Sequence, residues 1–253
     1  MANLYFQPTL RTSSRSTDTM PPSPPTDAPH PGIAPTDHPV WAWMSQALVD
    51  RRAVMRWPNG QTLQGYADGL LAELNTCAPG SLGLVSWVRL TEKPLGPKDL
   101  LARLQCCAQA MTDGGLLMAA DLGPTSLTDL VNGLDAQSPE ARALAAWRAT
   151  RLDLHDLGDA LSAAGLAEPV MESESLTLTY QSEQTALHDL QALGLFLDQP
   201  AQGWSRALSG VRKPDGLIRL TLEVVIGHAW RMPSRKPKLD PHEPTPIRFA
   251  RRN

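Results

Sequence analysis

Residues 113–121 read Asp-Gly-Gly-Leu-Leu-Met-Ala-Ala-Asp, followed by Leu-Gly-Pro and then Thr125 and Ser126. A glycine turn, an unbroken apolar run and a terminal acid leave few options. A strand apolar at every position must be covered on both faces, so it belongs in a parallel or mixed sheet layered by helices. In such sheets ligands sit just past the carboxyl ends of the strands. Asp121, Thr125 and Ser126 are therefore placed to touch a ligand.

The rest of the chain alternates in the manner such a sheet requires. His38-Pro39 leads into a helix with Trp41, Met44 and Leu48 on one face. Ala53–Trp57 reads as a short strand stopped by Pro58-Asn59-Gly60, and Thr62–Leu74 as a helix carrying Leu63, Tyr66, Leu70, Leu71 and Leu74 at helical spacing. "SLGLVSWVRL" (81–90) is a strand, and the segment after Pro97 is a leucine-striped helix ending at Gly114-Gly115. Residues 125–150 are helical with a break near Ser138-Pro139. A further helix spans about 153–164, with Gly165 as its stop. Leu176, Leu178 and Tyr180 alternate with Ser and Thr as a strand, Ser182 caps the helix bearing Leu187, Leu190 and Leu193, and a Pro-Asp-Gly turn at 214–216 opens a long last strand ending near Trp230. Strands alternating with helices, closed by two consecutive strands, define a three-layer α/β fold with an antiparallel pair at its carboxyl end.

Composition narrows the functional classes. The chain has 253 residues, 42% hydrophobic and 19% charged, with a net charge of −3, which gives no global field toward nucleic acid or an anionic membrane. The one basic cluster lies at residues 231–252 and reads as a solvated tail. Cys77, Cys106 and Cys107 show no CxxC spacing for zinc and no pairing pattern, so a reduced, cytoplasmic setting and at least one core cysteine are expected. No apolar run is long enough to span a bilayer. Residues 1–37, rich in Pro, Ser and Thr, are expected to be a disordered leader, 38–232 the α/β domain, and 233–253 a basic, proline-rich tail.

Several strings together carry a likeness. "DLHDLGDALSAAGLAEPVMESESLTLTY", then "LHDLQALG", then "LTLEVVIGHAWR", preceded by "GGLLMAADLGPTSLTDL", resemble the malonyl-[acyl-carrier protein] O-methyltransferase family of biotin synthesis, from about Ser81 to Trp230. The resemblance implies a Rossmann-like class I methyltransferase fold, S-adenosylmethionine as cofactor, and a carboxylate carried by acyl-carrier protein as substrate. It further implies strand–helix units ahead of the strand at Leu82–Val88. These units include a glycine-rich turn that lets the backbone approach the cofactor and a strand ending in an acid that takes both ribose hydroxyls.

The spacing argues against a complete set of those units. Only about 25 residues separate Trp57 from Leu82, room for one crossover. Gly60, Gly65 and Gly69 stand at spacings of five and four, unlike the two and three of a nucleotide turn. A reduced sheet of about five strands follows, and with it two rival readings. One is a degenerate family member retained as a binding or partner protein. The other is an active methyltransferase with an unorthodox or shared cofactor site. An exposed sheet edge would suit a homodimer or a complex with a full-length relative, with acyl-carrier protein a further partner.

The candidate cofactor-binding residues are Asp121, Trp87 and Gly60, and the candidate substrate-binding residues are Arg219, Tyr180 and Thr125. Trp87 could stack on a base or simply fill the core. Arg219 could grip a carboxylate bidentately. Asp68 and Glu73 fall in the expected helix, where solvated charge is the ordinary role. His155 and Asp159 share a helical face and could form a metal or acid–base pair, but Asp153 as a helix cap explains the acidic start equally well. His228, beside Trp230, is a candidate base or a structural residue. No metal cluster and no nucleophile–base–orienter set emerges from the spacing.

Overall fold

The computed structural model describes residues 38–66, 70, 73–89, 97–195 and 201–233. In chain order the elements are α1 (Pro39–Arg52), β1 (Gln61–Tyr66), β2 (Leu82–Arg89), α2 (Pro97–Ala110), β3 (Met111–Leu122), α3 (Thr128–Val131), α4 (Pro139–Arg148), α5 (Leu154–Ala163), β4 (Ala167–Tyr180), α6 (Glu183–Ala192), α7 (Ala201–Val211) and β5 (Ile218–Trp230). The expected leader at 1–37 and nearly all of the expected tail lie outside the described residues, as does Asp68.

Among the described residues five strands form one sheet in the order β1-β2-β3-β5-β4. β1, β2 and β3 run parallel, and β5 is antiparallel to both β3 and β4. Strand alternation divides the core in two. Leu84, Val88, Leu116, Met118 and Ala120 face α1, α4, α6 and α7, and Val85, Trp87, Leu117 and Ala119 face α2 and α5. The fold is therefore three-layered, α/β and Rossmann-like, with the antiparallel pair at the carboxyl end. Among the described residues no helix is long and apolar enough to cross a membrane.

Local chemistry explains the element starts. His38 Nδ1 accepts from the Val40 N–H at 3.2 Å with Pro39 in the first turn. Ser138 Oγ caps α4, Asp153 Oδ1 caps α5 and Ser182 Oγ caps α6, each satisfying a backbone donor that a helix start leaves open. The Pro-Asp-Gly turn places Gly216 at φ +79 and leads into β5.

The segment around β1 corrects two expectations. The strand expected at Ala53–Trp57 is absent: Ala53 and Val54 turn off the end of α1, with Val54 fully exposed. The helix expected over Thr62–Leu74 is instead strand β1 over its first part, and helix is present only at Leu70 and Glu73–Leu74 among the described residues. Leu63, Leu70 and Leu74 all reach the same α2-side core from the strand and the helix that follows it. A continuous helical spacing was thus produced by two elements that share one core. β1 can come so close to β2 because both carry glycine: a Cβ on Gly60 would stand 2.7 Å from the Gly83 nitrogen, and one on Gly83 would stand 2.4 Å from the Pro58 carbonyl oxygen.

α7 was not legible at all in the expected pattern. Its stripe of Trp204, Ala207 and Leu208 is fully buried and packs beside α6 and β5.

Candidate functional site

The carboxyl ends of β2 and β3 end in Arg89 and Asp121, which are register partners across the parallel pair. Arg89 Nε donates to Asp121 Oδ2 at 2.6 Å, and a terminal nitrogen of the same guanidinium reaches the same oxygen. Asp121 Oδ1 accepts from the Leu122 N–H at 2.7 Å. Arg151, in the turn after α4, stands 3.9 Å from Oδ1 and lies over the Trp147 ring at 4.2 Å. Side-chain exposure is 5% for Asp121 and 3% for each arginine. Burial pushes the Asp121 carboxyl up, against the opposing pull of Arg89 and Arg151. Burial also brings Arg151 down to about 10, with Asp121 resisting.

A second polar group adjoins this one. Glu223 Oε2 accepts from the Thr125 N–H at 2.8 Å and the Thr125 hydroxyl at 2.7 Å, and its Oε1 accepts from Ser173 Oγ at 3.0 Å. A Cβ at position 123 would stand 2.3 Å from the Glu223 carboxylate, so a larger residue there would displace that side chain.

The six candidate residues do not converge. Asp121 and Thr125 lie near one another past the end of β3. Trp87 is on the same sheet face as Asp121, but it is 4% exposed within the α2-side core. Gly60 precedes β1 and so lies at the opposite, amino end of the parallel strands. Tyr180 is buried on the α1 side, where its hydroxyl interacts with Asp189; burial and that carboxylate hold the phenol well above its usual range. Burial raises the Asp189 carboxyl in turn. Arg219 stands five residues beyond Val224, the partner of Leu122, which is about 17 Å along the strand. It donates to Asp215 at 2.5 Å on the exposed turn.

Of the secondary candidates, His155 and Asp159 are both exposed, and Asp153 caps their helix as the plainer reading expects. His228 is buried edge-on to Trp230 at 4.8 Å, and burial lowers its pKa. Cys107 is in the core, its thiol pushed up to about 12 by burial. Among the described residues no group of His, Cys, Asp and Glu could hold a metal ion. Sequence reasoning missed Arg151 and Glu223, and gave Arg89 no partner. Arg89 had a usable signal, because two adjacent buried strands that both end in a charge bring those charges side by side when the strands are parallel.

Among the described residues, the candidates do not form an S-adenosylmethionine cradle. Asp121, the candidate cofactor-binding acid, has one oxygen bound by Arg89 and the other by a backbone N–H. The indole offered for base stacking is enclosed in the core, and the glycine offered for close approach is packed on Gly83.

Fold and site together define an α/β protein of the Rossmann-like class with a buried arginine–aspartate–arginine cluster at the ligand end of its sheet. No protein-family model matches the chain. The chain is 40% identical over 146 residues to the malonyl-[acyl-carrier protein] O-methyltransferase of Gallionella capsiferriformans, covering 53% of this chain and 48% of that protein. It is 35% identical over 175 residues to the enzyme of the same name from Laribacter hongkongensis, covering 64% and 54%. Over this shared part, the chain is similar to malonyl-[acyl-carrier protein] O-methyltransferases. It spans about half the length of the curated relatives it matches. Among solved structures it is similar to phosphoethanolamine N-methyltransferase 2 of Haemonchus contortus, with a TM-score of 0.40 at 9% identity, covering 74% of this chain and 52% of the other. A SAM dependent methyltransferase from Archaeoglobus fulgidus gives 0.36 at 14%, covering 73% and 94%. The fold assignment rests on the strand order and not on these scores.

Proposed function

We propose that this chain is a degenerate member of its family, serving as a binding or partner protein and not as a methyl-transfer catalyst. The observation that carries the reading is the engagement of Asp121. The acid best placed to meet a cofactor is instead neutralised by Arg89, with Arg151 behind it, in a site closed to solvent. The passage from β1 to β2 supports it too. Only 15 residues separate β1 from β2, and among the described residues β1 is an edge of the sheet, where the family resemblance implies further strands.

The partner follows from that edge. β1 reads Gln-Thr-Leu-Gln-Gly-Tyr, with none of the charges or prolines that usually blunt an exposed strand. Strand addition by a second copy or by a full-length relative suits such a surface. Acyl-carrier protein, named in the relatives' activity, is the further candidate.

One observation favours a second reading. The identity of 40% over 146 residues is high enough for an active S-adenosylmethionine-dependent O-methyltransferase acting on a malonyl-type carboxylate carried by acyl-carrier protein. The two readings separate in a radiolabelled methyl-transfer assay with the full chain and malonyl-acyl-carrier protein. The proposal expects no product above the no-protein blank. Turnover by the chain alone would establish the second reading.

A further inference from the structure

β2 is buried at every position, and all of its residues are apolar except Ser86 and the terminal Arg89. Ser86 lies in phase with Leu84 and Val88, so it faces the α1 side. Its register partner on β1 is Gln64, another neutral hydrogen-bonding side chain. Above them α1 contributes Ser45, Val49 and Arg52, and these residues together with Val88 enclose a cavity of about 300 Å³. That volume is at the lower end of small-molecule sites.

The polar groups in this cavity are uncommitted. Ser86 is 8% exposed, yet its hydroxyl makes no hydrogen bond among the described residues. The side chains of Ser45, Gln64 and Arg52 likewise have no hydrogen-bond or ion-pair partner there. The contrast with the adjacent residue is direct, since Arg51 is bonded to Glu172 at 2.5 Å and also to Glu174. Here two hydroxyls, an amide and a guanidinium from three elements converge beside the valine walls.

We propose that this cavity binds a small organic anion, a carboxylate or phosphate carrying a short apolar segment. Arg52 supplies the charge-assisted bond, Ser45, Gln64 and Ser86 satisfy the remaining anion oxygens, and Val49 and Val88 receive the alkyl part. The site lies on the α1 face under the edge strand, apart from the Arg89–Asp121–Arg151 cluster on the other face.

Amide NMR on the full chain, titrated with butyrate, butyl phosphate and 1-butanol, tests this. The expected result is saturable shifts at the Gln64 and Ser86 amides with butyrate or butyl phosphate and none with 1-butanol; which anion binds more tightly distinguishes the two headgroups. Arg52→Gln, at a half-buried position, should weaken anion binding about 10-fold or more, and Ser86→Ala should weaken it less while leaving the fold intact. No shift at those amides with either anion, or equal affinity in Arg52→Gln, would overturn the proposal.

Discussion

Asp121→Asn is the sharpest perturbation of the cluster because it changes charge and little else. The amide is nearly isosteric, leaves no cavity, and its oxygen can still accept from the Leu122 N–H. What it removes is the negative charge facing Arg89 at 2.6 Å and Arg151 at 3.9 Å. The arginine side chains are each 3% exposed, so they cannot recover hydration without moving. Breaking a buried pair from one side costs about 3–5 kcal/mol. A Coulomb estimate of about 4 kcal/mol for unit charges some 4 Å apart at an effective dielectric of about 20 gives the same scale. In a domain of this size the melting temperature should fall by about 10 °C. Urea unfolding of parent and variant, with free energies extrapolated linearly to water, measures it. Removing the second charge as well, in Arg89→Met with Asp121→Asn, should recover about half of the loss. A stability change within about 0.5 kcal/mol for Asp121→Asn would refute the claim that this pair is desolvated. It would also free Asp121 for a ligand role.

Three further outcomes follow from buried groups. Burial lowers the His38 pKa from its ordinary 6.5 to about 4, so the unfolded chain binds the extra proton first; stability should be complete above about pH 6.5, fall by about 3 kcal/mol as pH drops toward 4, and level off below that. His38→Ser, which keeps a cap without titrating, should flatten that limb in acid unfolding curves. Cys106 is exposed and Cys107 buried, so a thiol reagent should label Cys106 in the native protein and Cys107 only after unfolding, as read by peptide mass. Trp204, fully buried in α7, should cost about 3–5 kcal/mol when cut to alanine, measured by the same urea titration; a loss under about 1 kcal/mol would mean α7 does not form part of the core.

How much was legible in the sequence depended on whether one element accounted for a pattern. The run Leu116–Ala120 could only be a covered strand, and it is. The alternation at Leu176, Leu178 and Tyr180 and the caps Asp153 and Ser182 rest on local chemistry, so they carried through to the structure. Leu63, Leu70 and Leu74 misled because a strand and the helix after it supply one core, and their spacing fits a single helix by coincidence. The Trp204–Leu208 stripe was short and preceded by no cap signal. The site was less legible than the fold. Asp121 was singled out correctly as a residue at the ligand end, but its partners Arg89 and Arg151 are 32 and 30 positions away, and only the register of β2 on β3 and the turn after α4 bring them to it. Nor does the sequence show that Arg219 and Asp121, both near the carboxyl end of the sheet, are separated by the overhang of the β4–β5 pair.

The central claim of the proposal is that the described residues offer the relatives' cofactor no place to bind. Calorimetric titration of S-adenosylmethionine, with S-adenosylhomocysteine alongside, into the full chain measures that directly. The account predicts no saturable heat up to millimolar ligand. Saturable binding of either compound at micromolar concentration would contradict it and restore the reading of an active methyltransferase.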